Sequence, residues 1–140
     1  MSHLAGRGIL SALLVLLVHV AAWAEPVPVT ITSLDPRFDQ LVPKNAQVEK
    51  IADGFTWVEG PVWHKQGGYL LFSDIPANRV YQWKPGKGTS VYLKNSGYSG
   101  STPFAGKEPG SNGLTFSADG QLYLCRHGDR QIGRLEADGR

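Results

Sequence analysis

A chain of 140 residues with a formal net charge of +2 and no Lys/Arg stripe interleaved with aromatics lacks the electrostatic footprint of a nucleic-acid binder. Its 17 glycines and 9 prolines, without sustained helical periodicity, exclude a helical bundle and favour short strands joined by turns. With Cys125 as the single cysteine, an internal disulfide is excluded.

The chain opens on a targeting signature. Arg7 precedes an apolar run from Ile9 to Val20, interrupted by Ser11 and His19, and Ala22-Trp23-Ala24 has the small–x–small pattern that signal peptidase accepts. The run is short for a bilayer core roughly 30 Å thick. Residues 1–24 are therefore read as a signal peptide, with an uncleaved anchor as the alternative, and the protein is expected in the periplasm or outside the cell. Nothing after the leader implies a membrane.

Residues 25–54 read as an extended N-terminal arm. Val27, Val29 and Ile31 alternate in the strand manner, and Asp35-Pro36 and Val42-Pro43 break the run. Strands are expected next near Gly60 to His64, Tyr69 to Ser73, Arg79 to Lys84 and Ser90 to Leu93, with Gly67-Gly68 and Pro85-Gly86 as turns. Asn95 to Ser111 is a polar Gly/Pro-rich loop, long enough to be functional or mobile. Leu114 to Ser117, Gln121 to Arg126 and Gln131 to Leu135 are the following expected strands, and Asp138-Gly139 is a further turn.

The two strand groups are variants of one another. Gly60 aligns with Gly113, Trp63 with Phe116, Gly67 with Gly120, Leu71 with Leu124 and Asp74 with His127; after one dropped residue, Val80 aligns with Ile132 and Trp83 with Leu135. A strand-rich repeat of this kind signals a propeller or solenoid, whose units bury their faces against one another. The expected architecture is all-β, with one propeller blade at about 55–95, a loop at 95–111 and an incomplete second blade at about 112–140. Two blades alone leave an open face and unpaired edges, so the chain is expected to be the N-terminal fragment of a larger toroid.

Glu59 and Asn112 head the first strand of each unit, where propeller strands line the central channel. Oxygen donors converging there suit a hard cation such as calcium, which takes six to eight oxygens at about 2.3–2.6 Å. Solvated turn residues are the competing reading of both. Asp74 is read as a turn residue accepting backbone N–H bonds, and His64 as a surface residue. His127 is open to an acid, base or ligand role, against structural hydrogen bonds beside Arg126 and Asp129. Cys125 is expected to be a buried strand residue, although a nucleophile activated by His127 is the alternative. No G-x-S-x-G elbow, phosphate loop, H-E-x-x-H or paired-cysteine zinc pattern is present.

Glu59-Gly60-Pro61-Val62-Trp63 and Leu70 to Val80 resemble the opening blade of the gluconolactonase, senescence-marker (regucalcin) and luciferin-regenerating family. Ser111-Asn112-Gly113-Leu114, with Asp119-Gly120 and Leu122-Tyr123, is similar to its second blade as seen in bacterial gluconolactonases. The resemblance covers about Phe55 to Arg140. It implies a six-bladed β-propeller holding one divalent metal, usually calcium, and hydrolysing sugar lactones. It implies further that Glu59 is a metal ligand, that Asn112 contacts substrate near the metal, and that the remaining ligands and the acid/base aspartate lie beyond Arg140. Some members carry an arginine two residues before the asparagine, where this chain has Gly110. The alternatives are a non-catalytic propeller that binds a ligand or partner, and an inactive fragment. The expected partner is a small-molecule sugar lactone; neither the lactone nor the oligomeric state is specified.

Overall fold

Turn-forming residues divide residues 25–139, the part described by the computed structural model, into nine short strands and one 3-10 turn. The expected signal peptide at residues 1–24 lies outside the described residues. Strand β1 (Glu25–Val27) pairs with β2 (Val48–Lys50), and the 3-10 turn Phe38–Gln40 lies between them in sequence. Strands β3 (Val58–His64), β4 (Tyr69–Asp74), β5 (Arg79–Lys84) and β6 (Gly88–Lys94) form a four-stranded meander. Strands β7 (Ser111–Phe116), β8 (Leu122–Arg126) and β9 (Gln131–Arg134) repeat it as a three-stranded sheet. Every pairing is antiparallel, which makes the described chain all-β. No helix among these residues is long and apolar enough to cross a membrane.

Side-chain alternation decides how the sheets meet. On β4, Leu71 and Ser73 are fully buried, and on β8 Leu122 and Leu124 are buried, Leu124 in the place of Leu71. Leu71, Val80, Leu122 and Leu124 form one core, with Val62, Leu93, Leu114, Phe116 and Leu135 packed against it. Because both sheets contribute, the core lies between them, and each buried aliphatic stabilises the packing by about 1.5–3 kcal/mol. The other face of the first sheet carries Phe55, Phe72 and Tyr81, with Phe55 edge-on to both neighbours at 4.9 Å.

The ladders shift the repeat seen in the sequence. Ser73 pairs with Val80 and Leu70 with Trp83, whereas Arg126 pairs with Gln131 and Tyr123 with Arg134. Gln131 and Arg134 therefore occupy the places of Val80 and Trp83, not Ile132 and Leu135. The connection from β8 to β9 is shorter than alignment of apolar residues implies. Apolar matching fails here because Ile132 faces outward, 72% exposed, opposite Cys125.

Cys125 is exposed rather than buried. Leu122 and Leu124 take the core-facing side of β8, which leaves Cys125 on the other side above Gly113. His64 is not a simple surface residue either. Its ring stacks on Tyr69 at 4.6 Å and meets Phe116 edge-on at 4.8 Å. Its Nδ1 accepts the Gly67 N–H at 2.8 Å, which puts the ring proton of the neutral form on Nε2. The turn 65–68 folds back over the histidine, and the second sheet covers its edge.

Candidate functional site at the head of the inner strands

Each sheet begins with a bulge. The β3–β4 ladder is broken between Glu59 and Val62, and the β7–β8 ladder between Ser111 and Leu114. Bulges re-aim side chains and bring backbone into unusual approach. Here they bring the two strand heads together. Gly60 has φ +57, and a Cβ added to it would lie 2.3 Å from the Asn112 carbonyl oxygen and 2.9 Å from the Leu114 nitrogen. The segments carrying Glu59 and Asn112 are thus in direct backbone contact, and only glycine permits it. In the ladder, Glu59 sits opposite Ser73 and Ser111 opposite Arg126, so Asn112 lies inside its bulge, one step beyond the place of Glu59.

A buried polar seam locks this contact. Ser73 Oγ donates to the Asn112 carbonyl at 3.0 Å and lies 2.7 Å from Ser111 Oγ. The Ser73 hydroxyl has one proton, so Ser111 donates to Ser73 in turn. Ser96 Oγ accepts the Ser111 N–H at 3.1 Å. All three serines are buried, and every hydroxyl is engaged. Apolar pattern reading passes over serines, whether in strands like Ser73 and Ser111 or in a loop like Ser96, and for that reason this seam escapes it.

Glu59 is half-buried and Asn112 exposed. The indole Nε1–H of Trp57 donates to Glu59 Oε1 at 3.2 Å. Asp74 accepts backbone N–H bonds, as expected, but its donors are distant in sequence rather than in its own turn. Oδ1 takes the Trp57 N–H at 3.1 Å and Oδ2 the Thr56 N–H at 3.3 Å, while the Ile75 N–H binds the Trp57 carbonyl at 3.1 Å. Trp57 had no sequence signal beyond its position two residues before Glu59.

The 95–111 loop is held at both flanks. Asn78, at φ 53, accepts the N–H groups of Gly97 and Tyr98 through Oδ1 and donates from Nδ2 to the Tyr98 carbonyl at 2.9 Å. From the second sheet, Asp129 accepts Ser99 N–H and Oγ–H and pairs with Arg126 at 2.9 Å. The loop is therefore anchored rather than loose. His127 joins the same set, its Nδ1 lying 2.9 Å from the Glu108 carbonyl oxygen. A carbonyl only accepts, so Nδ1 carries a proton. This is the structural role at a strand end, with the loop as partner in place of Arg126 or Asp129. Gly110 is buried, and a Cβ there would lie 2.5 Å from the Ile75 carbonyl oxygen. No arginine side chain fits at that place.

No group of three or more His, Cys, Asp or Glu among the described residues is placed to hold a metal ion. The oxygen donors Glu59 and Asn112 match the chemistry of a hard cation, but they can supply only part of a six-to-eight-oxygen shell. Glu59 also borders an apolar recess of about 260 Å³ with Ile51, Phe55, Pro61 and Phe72. A larger hollow of about 410 Å³ lies at the opposite strand ends, lined by His64, Tyr69, Tyr92 and Phe116.

The sequence profile of the SMP-30/Gluconolactonase/LRE-like region matches residues 57–140. A gluconolactonase of Zymomonas mobilis is 43% identical over 108 residues, which are 76% of this chain and 30% of the relative. The solved structure of a Xanthomonas campestris gluconolactonase, described as important in glucose secondary metabolic pathways, superposes with a TM-score of 0.66 at 28% identity. It covers 88% of this chain, which spans 37% of that one. Another solved structure, assigned as a gluconolactonase, has a TM-score of 0.59 at 31% identity, over 76% of this chain and 33% of its own. The chain spans about a third of the length of these relatives.

Proposed function

The chain belongs to the SMP-30/gluconolactonase/LRE-like family, and from that premise we propose that the whole protein is an exported, divalent-cation-dependent hydrolase of sugar lactones. In this reading the two sheets are the opening blades of a six-bladed β-propeller, and β3 and β7 line its channel. The observation that carries it is the backbone contact of Gly60 with Asn112, which places the heads of two inner strands side by side. A strand order equal to chain order in each sheet supports it as well.

When bound, the cation, with calcium the first choice, supplies a Lewis acid for the lactone carbonyl and for the oxyanion that develops on it. Glu59 would hold it through its carboxylate. The exposed Asn112 amide offers one acceptor and two donors to the hydroxyl and carbonyl oxygens of a lactone. With glycine two residues before it, Asn112 acts in this reading without a neighbouring arginine. Glu59 is not the base for the attacking water in this reading, because a carboxylate engaged with a cation has reduced basicity.

The test is acid release from an aldonolactone by the whole protein, with and without chelator. Hydrolysis that stops on chelation and returns with calcium is expected. Hydrolysis indifferent to metal removal contradicts the cation-dependent reading, and binding of lactone without turnover identifies a non-catalytic module.

A further inference from the structure

We propose that Trp57 is a positioning residue for the Glu59 carboxylate, itself fixed by the buried carboxylate of Asp74. The inference rests on the reading of Glu59 as a cation ligand.

Trp57 is 50% exposed, so burial of its ring explains little of its placement. Its backbone is fixed on both sides instead. Its N–H binds Asp74 Oδ1 at 3.1 Å, and its carbonyl accepts the Ile75 N–H at 3.1 Å. Asp74 is 3% exposed and spends its second oxygen on the Thr56 N–H, so it has little freedom to turn. The one polar atom of the Trp57 side chain lies 3.2 Å from Glu59 Oε1.

An indole N–H donates and never accepts, so it cannot compete with Glu59 for a cation. It restrains one carboxylate oxygen and leaves Oε2, with the second lone pair of Oε1, for the ion. Outer partners of this kind orient a ligand before binding, and their loss typically lowers metal affinity by about 10–100-fold. The end of β4 thereby sets the rotamer of a carboxylate on β3 through a residue just ahead of that strand.

The experiment is calcium titration of the whole protein by calorimetry, for wild type and Trp57→Phe, which keeps a ring and removes the N–H. Terbium is then titrated in calcium's place, with emission excited through tryptophan. Trp57→Phe is expected to weaken calcium binding about 10–100-fold at an unchanged thermal midpoint, and to lower emission per bound terbium. Should Trp57→Phe fold poorly, Trp57→Leu, which likewise has no donor, takes its place, with the same expected loss. Equal calcium affinity in wild type and variant overturns this inference and leaves Glu59 as a ligand. Undiminished terbium emission per bound ion also overturns it, by separating Trp57 from the ion. A wild-type protein that binds neither ion overturns the reading of Glu59 together with it.

Discussion

Substituting Gly60 by alanine probes the contact on which the site is built. The backbone there has φ +57, a conformation that costs an L-residue roughly 1–2 kcal/mol. The added methyl carbon would also lie 2.3 Å from the Asn112 carbonyl oxygen, a rigid backbone atom that cannot swing aside. Forcing extra volume into such a contact costs typically 1–3 kcal/mol, so the total loss expected is about 2–5 kcal/mol. Gly68 supplies the control, because it has φ +62 with nothing within 4 Å of its would-be Cβ. Gly68→Ala should lose only the conformational part, about 1–2 kcal/mol. Urea unfolding of both variants measures the difference, expected as a midpoint on the order of 1 M lower for Gly60→Ala. Equal midpoints would refute the reasoning, since they would mean that β3 and β7 do not touch at Asn112.

Replacing Asn78 by glycine keeps the left-handed backbone while removing the three bonds to Gly97 and Tyr98. Amide hydrogen exchange at Gly97 and Tyr98 should accelerate at least tenfold, because each bond contributes about 0.5–1.5 kcal/mol; unchanged exchange would show that the loop is anchored without the Asn78 side chain. At alkaline pH, burial and then the neighbouring Tyr92 push the Tyr69 phenol up from 10.0 to about 12. The unfolded chain gives up that proton first, so the stabilisation is complete below pH 10 and is lost as pH rises through about 12. Unfolding midpoints measured across this window should fall less steeply for Tyr69→Phe than for wild type, and identical slopes would contradict the assignment.

The strands were legible because glycine and asparagine punctuate them and Leu71 and Leu124 repeat in phase. All seven expected strands beyond the arm fall within about three residues of those observed; the widest gap is at β7, which starts at Ser111 rather than Leu114. The register was not legible. Ile132 resembles a core residue, yet it lies on the outward face, and the ladder is set by turn length and bulges rather than by hydrophobicity. Cys125 was misplaced for a related reason: the leucines on either side of it already claim the core side of β8. Of the site, Glu59 and Asn112 stood out from their repeated setting. The serine seam of Ser73, Ser96 and Ser111 and the Asp74–Trp57 link did not, because each joins residues far apart in sequence, and the Trp57–Glu59 bond runs through an indole N–H that carries no periodic signal.

Calcium titration of the whole protein carrying Glu59→Gln, beside wild type, reaches the central claim most directly. Exchanging one carboxylate oxygen for a nitrogen keeps the shape and removes the charge, so calcium affinity should fall by at least 100-fold while the metal-free unfolding free energy stays within about 0.5 kcal/mol of wild type. Calcium binding of equal strength in the two proteins would contradict it.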